Sequence, residues 1–242
     1  GCTAARVTHA KLVYDAYELW SGYSSEPTSV HARLMKLIES VGARRADCVV
    51  TVNDKLGERM AAALTIEKPL TVMNTPFTVD VGELAPGAWR DRFGDRRVVI
   101  YQGRYAAGRD IAVAIRCVPH LPEDVVVAFR GYGVIEDELR REVRERQLED
   151  RVHFLEPVAM SELVTSLVGA DLGLVLYAAT NENNTLASPN KLFEYIMAGV
   201  PCIASELPVL QEIIERHGVG TTFRSQDERA LAEAIIACLE PE

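Results

Sequence analysis

The run Ala187-Ser188-Pro189-Asn190-Lys191-Leu192-Phe193-Glu194-Tyr195 carries residue types whose spacing suits the binding of a phosphate and a diol. A polar loop, residues 181–188, meets Pro189 in the first turn of an expected helix, where proline is tolerated. That turn leaves the N–H groups of Asn190, Lys191 and Leu192 without intrahelical partners, and the helix dipole adds partial positive charge there. Such a terminus binds phosphate, and Lys191 adds a full charge. Glu194 lies one turn further along. A carboxylate there cannot ligate phosphate, but it can accept hydrogen bonds from the two hydroxyls of a ribose. The same residues also read as ordinary helix features, with Ser188 and Asn190 as caps and Lys191 and Glu194 as solvated surface charges. Local sequence leaves both readings open.

A second constellation, Tyr101-Gln102-Gly103-Arg104-Tyr105-Ala106-Ala107-Gly108-Arg109-Asp110, follows an apolar run. Gly103 lets backbone approach a ligand, and Arg104 and Arg109 offer forked donors for a pyrophosphate. Its plain alternative is a solvated turn with two surface arginines. Gly131-Tyr132-Gly133 begins like a dinucleotide fingerprint, but the third glycine position holds Glu136, so that reading fails its own spacing. There is no Gly-x-Ser-x-Gly, no Walker loop and no local Cys-His pair. Chemistry at these residues would rest on positioning and on stabilising the charge of a phosphate.

These loops need a scaffold that brings them together. Apolar strand-like runs at 98–101, 125–129, 152–155, 172–176, 200–204 and 220–223 alternate with amphipathic segments at 111–119, 135–148, 161–168, 190–198, 209–216 and 228–239. That alternation predicts a doubly wound parallel sheet covered on both faces, an α/β fold. Ligands of such sheets sit beyond the carboxyl ends of the strands, near the switch point. Upstream, short runs at 12–14, 48–52 and 70–73 read as strands. Val30, Leu34, Leu37, Ile38 and Val41 keep a helical period, and Asn53 or Asp54 can cap a helix. Between Phe77 and Arg97 the period disappears, and Gly82, Pro86, Gly87 and Gly94 mark turns or a linker. The expected domains are therefore 1–79, part of one domain, and 80–242, a complete doubly wound one.

Composition narrows the partners. The 242 residues carry a net charge of -9, which argues against nucleic acid as a partner and against bulk attraction to an anionic membrane. Residues 1–79 hold 9 basic and 8 acidic residues, so the acidic surplus belongs to residues 80–242. Of five lysines, only Lys191 lies after Lys68. The five cysteines and five histidines are scattered, which fits a reducing compartment and predicts no metal site. No apolar run is long enough to be a transmembrane segment. The chain starts at Gly1 without a methionine and reads as a fragment.

The run Ser188 to Tyr195, followed by Ala198-Gly199-Val200-Pro201, closely resembles the donor-site motif of retaining GT-B glycosyltransferases of the family four type. Gln102-Gly103-Arg104 through Arg109, Gly131-Tyr132-Gly133, Val152-His153-Phe154 and Ala170-Asp171-Leu172 fall in that family's order. So do Val13-Tyr14-Asp15-Ala16-Tyr17-Glu18-Leu19, Ala46-Asp47-Cys48-Val49-Val50-Thr51-Val52 and Asn74-Thr75-Pro76. The resemblance implies a GT-B fold of two Rossmann-like domains, with residues 1–79 as the end of the first, the second binding a nucleoside-diphosphate sugar and the first mostly an acceptor hydroxyl on a glycan, lipid or small molecule. It implies Arg104, Arg109 and Lys191 as the catalytic cations at the diphosphate and Glu194 at the ribose hydroxyls. Ser188, Pro189, Asn190, Leu192, Gly103, Gly131, Gly133 and Leu155 are its further donor-binding positions, and Asp15, Tyr17 and Glu18 lie on the acceptor side. No metal or cofactor is implied, because protein cations and a helix N-terminus take that role. The location implied is cytoplasmic, or peripheral at the inner membrane face, and the chain alone is expected to be inactive. Three positions depart from the family pattern: Leu186 where a second Glu is frequent, Tyr17 where His is, and Glu156 where Gly is usual. Leu186 and Tyr17 motivate the alternative of a non-catalytic, nucleotide-sugar-binding partner subunit.

Overall fold

The computed structural model describes residues 1–23, 29–81 and 87–240. The chain divides into two compact units, Gly1–Asn74 with Ala179–Ser188, and Thr75–Ala178 with Pro189–Glu242. The second unit thus begins at Thr75 rather than at residue 80, and it lacks the segment 179–188 that the sequence places within it. Gly82 and Pro86 of the expected linker lie outside the described residues.

In the first unit three parallel strands, β1 (Val13–Ala16), β2 (Cys48–Thr51) and β3 (Leu70–Thr71), stand in the order β1-β2-β3. Asn53, not Asp54, caps the helix Asp54–Leu64, its Oδ1 accepting from Leu56 N–H at 2.8 Å. Leu56, Met60 and Leu64 of that helix pack on Ala16, Leu19 and Val52. The segment 179–188 belongs here because its amides are held here. Asn183 exchanges two hydrogen bonds with the backbone of Leu19, at 3.0 and 2.9 Å, and Asn53 Nδ2 donates to the Leu186 carbonyl at 2.9 Å.

The helix Val30–Ala43 has the expected period but the opposite facing. Val30, Leu34, Leu37, Ile38 and Val41 are exposed, whereas Ala32, Glu39, Ser40 and Ala43 are buried. Glu39 tolerates burial because its carboxylate accepts from Tyr14 Oη and Trp20 N–H, both at 2.9 Å, and from Ser21 N–H at 3.1 Å.

In the second unit six parallel strands stand in the order β6-β5-β4-β7-β8-β9: β4 (Arg97–Gln102), β5 (Val125–Arg130), β6 (Val152–Leu155), β7 (Leu172–Val175), β8 (Cys202–Ser205) and β9 (Gly220–Phe223). Numbered within the unit this is 3-2-1-4-5-6, the doubly wound order, with its switch point between β4 and β7. Val99, Val125, Val127, Leu172, Leu174 and Ile203 of the sheet are buried against Ile115, Leu139, Leu231 and Ile235 of its helices. Two local expectations change. Residues 161–168 form only the 3-10 turns Met160–Glu162 and Thr165–Leu167, since three β-branched residues, Val164, Thr165 and Val168, crowd so short a helix before Gly169. The supposedly aperiodic linker holds a helix, Gly87–Phe93, whose Trp89 is buried and stacks on Phe93, with ring centroids 6.2 Å apart. Two apolar residues four apart are too few to announce a period.

Candidate functional site

At the switch point β4 ends in Gln102, paired with Arg130 of β5, and the two following loops continue side by side. Gly103 N–H donates to the Arg130 carbonyl at 2.9 Å, and Tyr105 N–H to the Tyr132 carbonyl at 2.8 Å. This closeness requires the glycines. A Cβ on Gly131, whose φ is +152°, would sit 1.9 Å from the Gly103 carbonyl oxygen. One on Gly133 would sit 1.9 Å from that of Tyr105. Gly131 and Gly133 therefore serve loop-to-loop packing in this structure, which shapes the rim rather than freeing it.

The helix Asn190–Met197 points its N-terminus into the same region, with Pro189 as its N-cap instead of its first residue. Leu192 N–H is not free as expected, because it donates to the Pro189 carbonyl at 3.1 Å. Among the described residues the N–H groups of Asn190 and Lys191 have no hydrogen-bond acceptor. Nor does any side chain among the described residues cap this end. Ser188 is no cap either; it lies in the first unit, where its Oγ accepts from Asn53 Nδ2 at 3.3 Å.

Lys191 and Glu194 are not surface charges, each being only 8% exposed. Lys191 Nζ lies 3.6 Å from the centroid of the Tyr101 ring. Gly103 makes the room: a Cβ there would stand 3.0 Å from Nζ. Among the described residues no carboxylate comes within 4.0 Å of this ammonium. Burial pushes its pKa well below the usual lysine value, the charge of Arg109 pushes it further, and Glu194 pulls the other way. Arg109 stacks on Tyr177, its guanidinium carbon 4.1 Å from the ring centroid. Arg104 is exposed, and its carbonyl accepts from Tyr101 Oη at 3.0 Å.

Glu194 Oε2 accepts from Gln102 Nε2 at 2.9 Å. The next residue, Tyr195, is fully buried and pins the helix to the sheet. Its Oη accepts from Gln102 N–H at 2.8 Å and donates to the Ile100 carbonyl at 3.1 Å. Its ring covers Gly173 of β7, where a Cβ would sit 2.5 Å from Cγ. The sequence motifs include Gln102 and Tyr195 without assigning either a role, and they leave out Gly173. A glycine inside an apolar strand is the one signal that pointed to such close packing.

Leu155 ends β6 with a buried side chain, so only its backbone can face a ligand. In the first unit Asp15 is an exposed residue of β1, paired with Val50, and is neither in a loop nor a cap. Tyr17 and Glu18 follow directly and are exposed. Among the described residues there is no group of three or more His, Cys, Asp or Glu placed to hold a metal ion, and no helix long and apolar enough to cross a membrane.

Comparison with solved structures shows that the two parallel-sheet units, of three and six strands, have the GT-B fold. Anabaena HepE in complex with UDP-glucose matches with a TM-score of 0.80 and 20% identity, over 99% of this chain and 65% of that one. The same protein with UDP and glucose matches at 0.79. Sucrose-phosphate synthase from Thermosynechococcus elongatus matches at 0.70 and 20% identity, over 98% of this chain and 61% of that one. The chain thus spans less than two thirds of the length of these neighbours. None of the curated proteins matches it. The family model of the glycosyl transferases group 1 matches residues 96–241. The chain belongs to that family.

Proposed function

We propose that this chain is mainly the donor-binding part of a retaining glycosyltransferase, which moves a sugar from a nucleoside diphosphate to a hydroxyl acceptor. The observation that carries the reading is the buried ammonium of Lys191, without a carboxylate in ion-pair range among the described residues, together with Arg109 and the open amides of Asn190 and Lys191, one turn from the buried Glu194. A diphosphate supplies the negative charge this cluster lacks, and a ribose supplies two hydroxyl donors for Glu194. The neighbour seen with UDP-glucose supports a donor of this class.

In the reaction the bond from the anomeric carbon to the diphosphate oxygen breaks, and a bond from that carbon to the acceptor oxygen forms on the same face. The acceptor proton passes to the departing diphosphate. Arg104, Arg109, Lys191 and the helix N-terminus stabilise the charge that develops there, a role that elsewhere falls to a metal ion. Losing one such donor costs on the order of 100-fold in rate. The acceptor end belongs to the first unit, with Asp15, Tyr17 and Glu18.

Calorimetric titration of UDP, GDP and ADP sugars into the chain tests the donor assignment. At least one binds, and Glu194→Ala weakens it by about tenfold, the worth of a charge-assisted hydrogen bond. Equal binding by the variant removes the ribose role of Glu194.

A further inference from the structure

Behind the Glu194 carboxylate stands Gln102, the last residue of β4, only 3% exposed. Its Nε2 donates to Glu194 Oε2 at 2.9 Å and, at 3.4 Å, to the Leu163 carbonyl. Its Oε1 faces Arg130 Nη1 at 3.5 Å. That same Nη1 donates to Ser166 Oγ at 2.6 Å and to the Ser166 carbonyl at 3.1 Å, which holds the guanidinium in place. Both neighbours of Nε2 can only accept, whereas the neighbour of Oε1 can only donate. A flipped amide would aim its oxygen at a carboxylate and its NH2 at a guanidinium, so the surroundings allow one orientation. The backbone N–H of Gln102 meanwhile bonds Tyr195 Oη at 2.8 Å, so one residue of the sheet grips two consecutive residues of the helix.

Glu194 Oε1 accepts from no group among the described residues. A carboxylate that must receive two neighbouring hydroxyls needs one fixed rotamer, and glutamate has three side-chain torsions to lose. We propose that Gln102 is a positioning residue: it clamps Oε2 so that Oε1 and the remaining lone pair of Oε2 face a ribose, and Arg130 sets the direction of its amide. This rests on the reading of Glu194 as the ribose ligand, and it makes ribose selectivity a property of the β4 terminus as well as of the helix.

The test compares calorimetric affinities for UDP, GDP and ADP with those for their 2′-deoxy counterparts, in the chain and three variants. The chain favours the ribose form of its nucleotide by about tenfold. Gln102→Met, similar in volume and without a donor, brings that ratio below about threefold and leaves the affinity for the 2′-deoxy form within about twofold. A residue that only packs would weaken both forms alike and leave the ratio unchanged, and that result overturns the proposal. Gln102→Glu keeps the shape but opposes one carboxylate with another, and it collapses the ratio in the same way; it carries the measurement if the methionine variant does not fold. A ratio lost in Glu194→Ala but kept in both Gln102 variants overturns the positioning role alone. A ratio kept in Glu194→Ala, or no nucleotide bound at all, overturns the ribose reading and this inference together.

Discussion

Lys191 is held in a position that costs the free chain stability. Its ammonium is buried over Tyr101 with no carboxylate in ion-pair range among the described residues, and burial first, then Arg109, push its pKa well below 10.5. Below that lowered value lysine is charged in both folded and unfolded chains, and the full cost of burial is present. Between it and 10.5 the unfolded chain binds more protons than the folded one, so stability rises with pH across that window. Lys191→Met keeps the stem and removes the charge. It is expected to raise the Tm of the unliganded chain at pH values below the lowered pKa, and to flatten the pH slope above it. On the proposed donor reading it also weakens nucleoside diphosphate binding by about tenfold or more, because a charged contact to the diphosphate is lost. Thermal melts across pH, with and without nucleotide, check both halves. Unchanged stability together with weakened binding would mean that the ammonium is already solvated in the free chain.

At the scale of elements, the proposed site is built on the helix Asn190–Met197 and the β4 loop, and they differ in how legible they are. The helix start was readable because its signals are local: Pro189 before it, Lys191 and Glu194 one turn apart within it. The alternation was equally readable, since β5, β7 and β8 are contiguous runs of mostly apolar residues. What stayed hidden are partners distant in the chain. Gln102 and Glu194 lie 92 residues apart, and nothing local links them until the sheet puts one beside the other. The facing of the helix Val30–Ala43 was hidden too, because Glu39 breaks the apolar rule only through hydrogen bonds that no periodicity records. Gly173 offers a test of the helix-to-sheet seam. Gly173→Ala drives a methyl into the Tyr195 ring, from which its Cβ would be 2.5 Å. A rigid, fully buried ring gives way poorly, so a loss of about 1–3 kcal/mol is expected in denaturant unfolding. Because the seam also seats Glu194 over Gln102, nucleotide affinity falls with it. An alanine variant as stable as the parent would mean that the helix slides freely on β7.

For the molecule as a whole, charge and site pull in opposite directions. Residues 80–242 hold 17 basic and 27 acidic residues, yet their site is proposed to take a dianionic ligand. On the proposed reading that surplus repels a nucleoside diphosphate at long range, while at contact Lys191, Arg109 and the helix N-terminus would attract it. Salt separates the two. The Debye length shrinks from about 30 Å at 0.01 M to about 8 Å at 0.15 M, so salt removes the distant repulsion first. Partly buried contacts are screened much less. The association rate of a nucleoside diphosphate should therefore rise by about two- to tenfold over that range, opposite to the fall seen where a cationic surface steers an anion. The dissociation rate should change little, because it reports the contacts themselves. Stopped-flow binding at several ionic strengths measures both rates. An association rate that falls with salt would show that the cations at the switch point set the field well beyond the site and outweigh the acidic surface around them.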